Sequence, residues 1–310
     1  MRTPRDLIVA IVGATATGKT ALGEALAEVL GGEVVCVDSR QLYRELEVGT
    51  GKPTPRERAA RPHHLFDALA LGERASAGGY ATAARSACAT IAARGRVPVL
   101  VGGSGLYLEA ARRGLADEPP HDPAIRARLR AELERHGAAM LHRRLAAADP
   151  PTAARLAPGD AQRITRALEV LEASGRTLSD WQAAGRGGAV PGTWRVIELT
   201  CAPRSLAPRI ERRTRWMFEH GLIEETRALI AGGSGPALER LRAVGYDEAL
   251  ALIDGRLARA AAEARVDQRT RQLAKRQRTW FRHRVEAARL DVCAAGLEGL
   301  TAAALDLLHG

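Results

Sequence analysis

The chain predicts an α/β fold: a P-loop NTPase-like core, with a parallel sheet and helices on both faces, plus an all-helical insertion domain. Three observations predict it. Residues 7–12, 34–37 and 97–101 are short apolar runs spaced by helical patterns, the mark of parallel strands covered on both faces. Residues 13–20 read Gly-Ala-Thr-Ala-Thr-Gly-Lys-Thr, a complete G-x-x-x-x-G-K-[ST] loop between the first strand and a helix. Residues 124–186 are helical in pattern and Arg-rich, with no strand signal, before residues 194–200 read as a strand returning to the sheet.

The elements follow in order. The first strand begins almost at the N-terminus, leaving no room for a signal peptide. In the loop, successive backbone N–H groups and the positive helix end hold phosphate oxygens. Gly13, Ala14, Thr15, Ala16, Thr17, Gly18, Lys19 and Thr20 are therefore the expected phosphate-binding residues, with the Thr20 hydroxyl placed to ligate Mg²⁺. Leu22, Leu26, Val29 and Leu30 give the next helix its apolar face. The second strand ends at Asp38. A carboxylate there serves as a general base, as a Mg²⁺ holder through water, or as a helix N-cap, and the residues alone leave these open. Residues 80–94 read as an Ala-rich helix, and the strand at 97–101 is closed by Gly102-Gly103-Ser104-Gly105. Gly13, Asp38 and Gly102 thus stand at carboxyl ends of strands, where such sheets bind ligands.

Residues 117–123 read as a linker into the insertion, which Gly187-Gly188 and Pro191-Gly192 close. This sets the expected domains at 1–115 with 194–310 for the core and 116–193 for the insertion. Beyond residue 200 the chain reads as helical. Its last long segment, about 260–288, carries Val266, Leu273, Trp280 and Phe281 near heptad spacing. Helical periodicity around Trp216 and Trp280 predicts core packing for both.

Composition bounds the function. Of 310 residues, 46% are hydrophobic but only 4% aromatic, so Ala, Leu and Val must fill the core. The net charge of +10 favours polyanions. Among 46 basic residues only Lys19, Lys52 and Lys275 are Lys, which marks them as places where a planar guanidinium will not serve. Cys36, Cys88, Cys201 and Cys293 are far apart and form no C-x-x-C pair, which argues against a zinc site or a disulfide framework. His63 and His64 lack further ligands and read as structural or hydrogen-bonding residues. No apolar run reaches the roughly 18 residues of a membrane span, so a cytoplasmic protein is expected. Residues 265–284 hold Arg265, Arg269, Arg271, Lys275, Arg276, Arg278, Arg282 and Arg284 against one acid, Asp267. A solvated face would interleave acids; this set points to RNA phosphates.

The segment Asp38-Ser39-Arg40-Gln41-Leu42-Tyr43, followed by Gly49-Thr50-Gly51-Lys52-Pro53, resembles the tRNA dimethylallyltransferase (tRNA isopentenyltransferase) family. The resemblance continues through Pro62-His63-His64-Leu65, Gly102-Gly103-Ser104-Gly105-Leu106-Tyr107, the helix at 160–170, Gly221–Glu225, Gly245-Tyr246 and residues 270–280. Ser104 replaces the family's usual Thr, keeping the hydroxyl. The resemblance implies transfer of a dimethylallyl group from dimethylallyl diphosphate to N6 of adenosine 37, with Mg²⁺ as cofactor and the tRNA anticodon stem-loop as partner. It implies that residues 13–20 bind the donor's diphosphate, that Asp38 is the general base, and that Lys19 and Arg213 stabilise the leaving pyrophosphate, Arg213 fitting better than Arg209 or Arg212. It places tRNA contacts at Asp38, Ser39, Arg40, Gln41, Ser104, Arg126, Gln162, Arg163, Ile164, Thr165, Arg166, Arg242, Lys275, Arg276 and Arg278. A monomer is expected. The rival readings are a small-molecule P-loop kinase, an adenine-nucleotide prenyltransferase and a non-catalytic RNA-binding protein.

Overall fold

A computed structural model describes residues 6–115, 120–184 and 187–309. The chain runs β1 (Leu7–Gly13), α1 (Lys19–Val29), β2 (Glu33–Cys36), a 3-10 turn (Val48–Thr50), α2 (Pro55–Ala60), β3 (His63–His64), α3 (Ala77–Ala93), β4 (Pro98–Gly102) and α4 (Gly105–Arg113). The insertion holds α5 (Pro123–His136), α6 (Ala138–Ala148), α7 (Pro150–Ala153), α8 (Ala161–Ser174) and α9 (Leu178–Ala183). Then come β5 (Thr193–Thr200), α10 (Pro203–Glu219), α11 (Leu222–Ala231), α12 (Gly235–Leu241), α13 (Tyr246–Ile253), α14 (Arg259–Arg284), β6 (Ala288–Asp291) and α15 (Leu297–His309).

Among the described residues the sheet has six strands in the order β3-β2-β4-β1-β5-β6. Every pairing is parallel, and β1 lies centrally, with Val12 opposite both Gly102 and Glu198. Alternation along β1 explains the layering, since neighbouring residues point to opposite faces. Leu7, Val9 and Ile11 pack with Leu22 and Leu26 of α1 and with Leu206 and Ile210 of α10. Ile8, Ala10 and Val12 pack with Tyr80 and Ile91 of α3, Leu108 of α4 and Phe281 of α14. Both faces are covered by helices, which is why these strands read as unbroken apolar runs. A third cluster, around Phe218, Leu222 and Tyr246, joins α10, α11 and α13 and buries Tyr43 and Leu46 from the segment after β2.

Two strands escape the sequence reading. β6 lies where only helix was expected, and β3 is the His63-His64 pair. Both are short edge strands whose apolar pattern is too brief to register. The histidines do hydrogen-bond: His63 contacts Glu24, and His64 meets Glu33 at 2.6 Å. Cys201 and Cys293, distant in sequence, bring their sulfurs to 3.6 Å at the ends of β5 and β6.

Contacts divide the chain into Met1–Arg112 with Val190–Gly310, and Arg113–Ala189. The expected boundaries, 115/116 and 193/194, differ from these by a few residues. The first three residues of the expected linker, 117–119, lie outside the described residues; near its other end Asp122 caps α5 by accepting from the Ala124 and Ile125 amides. The Arg113–Ala189 unit has its own core of Leu129, Leu141, Leu145, Ile164 and Leu168. No helix among the described residues is long and apolar enough to cross a membrane.

Candidate active site

The phosphate loop ends β1 and opens α1. Gly18 stands at the N-cap in a left-handed conformation, φ 88°, and no side chain caps the helix. The first N–H groups of α1 therefore have neither an intrahelical acceptor nor a capping oxygen, and are available to an anion. Ala16 is also left-handed, at φ 62°, a conformation that collects at ligand-clamping loops. The loop holds its own shape. Lys19 Nζ donates to the Ala14 carbonyl at 2.7 Å, and Thr17 Oγ1 donates to the same oxygen at 2.8 Å. Ala14 and Thr17 are buried, so they serve the loop from within. Burial pushes Lys19 down to about 8; Asp38 pulls it up, while Arg213 adds to the fall.

Asp38 follows β2 by two residues. Its Oδ1 accepts from the Arg40 amide at 2.8 Å. That is a local turn, not a helix start, so the N-cap reading is set aside. The ends of β2 and β4 are stitched beside it. The Ser104 amide donates to the Val37 carbonyl, and Ser104 Oγ accepts from the Ser39 amide, both at 3.0 Å. Only the hydroxyl is used, which explains why Ser serves where Thr is usual.

Arg213 reaches in from α10. Its Nη1 donates to Thr15 Oγ1 at 3.1 Å and its Nη2 to the Thr50 carbonyl at 2.7 Å. Burial lowers its pKa, and nearby Asp38 opposes the shift. Gln41 Nε2 donates to the Thr50 and Gly51 carbonyls at 3.1 and 3.2 Å. Arg209 and Arg212 instead border an outer cavity beside Gly18 and Thr20, which Arg213 also lines. Of the three arginines, Arg213 alone lines both this and the main cavity.

That main cavity measures about 580 Å³, the size of a small-ligand site. Thr15, Lys19, Thr20, Asp38, Ser39, Arg40, Gln41, Ser104, Arg213, Arg242 and Arg276 all line it. Lys275 and Arg278 do not; they lie elsewhere on α14. Two tyrosines near the strand ends are spoken for. Tyr43 is buried and donates to the Glu73 carbonyl, and buried Tyr107 stacks on Tyr80 at 4.7 Å. Trp216 corrects the expectation of core packing: it is 46% exposed and stacks on His220. Trp280 does pack against the core, with its ring over Gly105, where any Cβ would meet it at 2.1 Å. Gly103 likewise makes room for Gln277, whose amide nitrogen would lie 2.3 Å from an added Cβ. The glycine-rich turn after β4 is thus a seat for α14.

Gln277 is the residue that sequence reasoning missed. It stands inside a quoted motif, yet only the helical spacing of 266, 270, 273 and 277 hinted that it faces the cavity.

The basic helix also needs correction. Within residues 265–284 the paired arginines take their acids from other elements. Arg269 pairs with Asp247 and Glu248 of α13 at 2.7 and 2.6 Å, Arg265 with Glu248 at 3.6 Å, and Arg271 with Glu211 of α10 at 3.4 Å. Lys275, Arg276, Arg278, Arg282 and Arg284 make no ion pair among the described residues.

In the helical unit, Gln162 and Arg163 are exposed on α8, Arg163 pairing with Asp160 at 3.5 Å. Ile164 and Thr165 are corrected as tRNA contacts: both side chains are buried, Ile164 within the unit's core. Arg126 and Arg166 are drawn to the fully buried carboxylate of Glu169, at 2.8 and 3.3 Å. Their first task is to neutralise it.

Comparison with known proteins bears on this site. The family described as IPP transferase matches residues 41–284, and that described as isopentenyl transferase matches residues 7–68. A tRNA dimethylallyltransferase of Methylococcus capsulatus is 45% identical over 294 residues, covering 94% of each chain.

The chain belongs to the tRNA dimethylallyltransferase family.

A second relative of that name, from Syntrophobacter fumaroxidans, is 43% identical and covers 97% of this chain and 88% of its own. A full-length tRNA isopentenylpyrophosphate transferase of Bacillus halodurans superposes with a TM-score of 0.68 at 32% identity, over 99% of this chain and 97% of that one. A eukaryotic dimethylallyltransferase acting on tRNA superposes with a TM-score of 0.77 at 26% identity, over 93% of this chain and 74% of that one. As a tRNA dimethylallyltransferase family member the chain is a prenyl-transferring enzyme with the parallel P-loop sheet.

Proposed function

We propose that this enzyme moves a dimethylallyl group from dimethylallyl diphosphate to N6 of adenosine 37 in the tRNA anticodon stem-loop, releasing pyrophosphate. One observation carries the reading. A phosphate loop, a half-buried arginine and a strand-end carboxylate share a single cavity, with Arg276 and Arg242 at its border.

The chemistry follows from charge. Breaking the allylic C–O bond builds negative charge on the diphosphate and positive charge on carbon. Lys19, Arg213 and the α1 amides are preorganised for the anion and need no reorganisation as it develops. The adenine N6 supplies the electron pair for the new C–N bond. Its proton becomes acidic only as that bond forms, and Asp38, lining the same cavity, would take it. Ser39, Gln41 and Ser104 offer polar groups beside Asp38 for the base. Extrusion of the base from a loop stack costs a few kcal/mol. Lys275, Arg276 and Arg278, which make no ion pair among the described residues, with exposed Gln162 and Arg163, would hold RNA phosphates.

Mg²⁺ fits the donor set. Among the described residues no group of three or more His, Cys, Asp or Glu could cage a metal. Thr20, exposed at the start of α1, would share such an ion with diphosphate oxygens and water, the usual mode for this cation. Bound there, it would neutralise diphosphate charge. Action on tRNA implies a cytoplasmic site of action.

The test is incubation with labelled dimethylallyl diphosphate and unmodified tRNA, followed by nucleoside analysis. Label on N6 of adenosine 37 is expected. ATP consumption with a small acceptor, and no label in tRNA, would establish a kinase instead.

A further inference from the structure

The cavity is bounded by a ring of hydrogen bonds, and one residue closes it. From Asp38 and Ser39 the ring passes to Ser104 Oγ, and so to Gly103. Gln277 Nε2 donates to the Gly103 carbonyl at 3.0 Å, while its Oε1 accepts from the Thr15 amide of the phosphate loop at 2.8 Å. Thr15 passes it to Arg213, Arg213 to Thr50, and Thr50 to Gln41, three residues after Asp38. Gln277 therefore bridges the phosphate loop and the carboxyl end of β4.

We infer that Gln277 is a positioning residue: it sets the spacing between the diphosphate cradle and the carboxylate that receives the proton. The inference rests on the transfer reaction proposed above. A neutral primary amide is suited to this place. It offers an acceptor to an N–H and a donor to a C=O on opposite sides of one planar group, and adds no charge beside the diphosphate. Neither bond touches the substrate, so Gln277 acts through Thr15 and Gly103. The close approach to Gly103, which leaves no space for a Cβ, fixes the amide's seat. Because α14 also carries Arg276 on the cavity and Lys275 and Arg278 elsewhere along its length, the helix proposed to meet RNA also holds the donor loop. Gripping tRNA and holding the donor in register thus fall to one rigid element.

Three variants of the full chain test this: Gln277→Met, Gln277→Glu and, as reference, Lys275→Gln. Each is measured for pyrophosphate affinity, tRNA affinity, thermal midpoint, and kcat and KM for the donor at saturating tRNA. Met keeps the volume and removes both hydrogen bonds. Pyrophosphate affinity should weaken about tenfold, the worth of one good net hydrogen bond, and kcat should fall as well, with tRNA affinity unchanged. Glu should be worse than Met when ionised, since it sets a carboxylate against the Gly103 carbonyl and near the diphosphate. As pH falls it should recover relative to wild type, because a protonated carboxyl restores one donor and one acceptor, while the Met variant stays flat relative to wild type. Wild-type donor kinetics in Gln277→Met, or a Glu variant with no pH-dependent recovery, would overturn the inference. So would a loss confined to tRNA affinity, like that expected of Lys275→Gln. Should wild-type enzyme fail to label tRNA while Gln277→Met still weakens pyrophosphate, the proposed reaction falls and the positioning role stands.

Discussion

Asp38, Lys19 and Arg213 sit on three different elements, and each makes a separate prediction. Asp38→Asn keeps an acceptor for the Arg40 amide, so the turn should hold. It loses the base, and kcat should fall by about 10²–10⁴-fold while tRNA affinity stays near normal; a parallel loss of tRNA binding would make Asp38 a binding residue instead. Arg213→Lys keeps the charge and loses the fork that spans Thr15 and Thr50. A fall of about 10²-fold in kcat is expected in single-turnover assays. Lys19 is pushed down to about 8 by burial in the free enzyme. Its charge is complete below that value and is lost as pH rises through it, so kcat/KM for the donor should decline above about pH 8. The rarity of lysine pointed to real constraints at two of three positions. Lys19 threads the loop, and Lys52 is buried against the Tyr43 carbonyl and Asp67 at 2.8 and 2.6 Å. Lys275 is exposed, and no packing reason for Lys over Arg is visible there.

At the scale of elements, α14 divides its labour along its length. Its arginines at 265, 269 and 271 bind acids of neighbouring helices, and its cations from Lys275 onward make no ion pair among the described residues. Arg269→Gln should therefore cost about 1–3 kcal/mol of stability, since it strips the fully buried carboxylate of Glu248 of its best partner; urea unfolding measures it. Lys275→Gln with Arg278→Gln should leave stability alone. If each cation meets one phosphate, the slope of log K against log salt for tRNA should flatten by about 0.7–0.9 per residue. The helical unit has its own weak point. Burial would raise Glu169, but hydrogen bonds from Arg126 and His121 and the charges of Arg126 and Arg166 together hold it below the ordinary carboxylate value. Its contribution is complete above its unfolded pKa and is lost as pH falls through the lowered folded one. Acid should unfold this unit as Glu169 protonates, and Glu169→Gln should flatten that acid limb in circular dichroism.

For the whole molecule, the core strands, the phosphate loop and the helical insertion were legible because each is a local pattern. A short unbroken apolar run bounded by turn signals reads as a doubly covered strand, and the glycine spacing at 13–18, between strand and helix patterns, reads as a phosphate loop. Asp38 was legible as a candidate for the same reason, standing at a strand end. The edge strands β3 and β6 were not, because two to four residues carry no period. Nor could sequence separate a free cation from a paired one, since the acids that pair with Arg265, Arg269 and Arg271 lie 17–60 residues away and reach them only through packing. Likewise, Ile164 and Arg163 are adjacent in one motif, yet one is core and the other is surface. By itself the sequence determined the fold class, the phosphate chemistry and the family. The tertiary structure decided which of Arg209, Arg212 and Arg213 enters the main cavity, which cations of α14 stay unpaired among the described residues, and that Gln277 joins the loop to β4. Those depend on side chains meeting across the sheet's carboxyl edge, and no local pattern encodes a meeting between segments up to 262 residues apart.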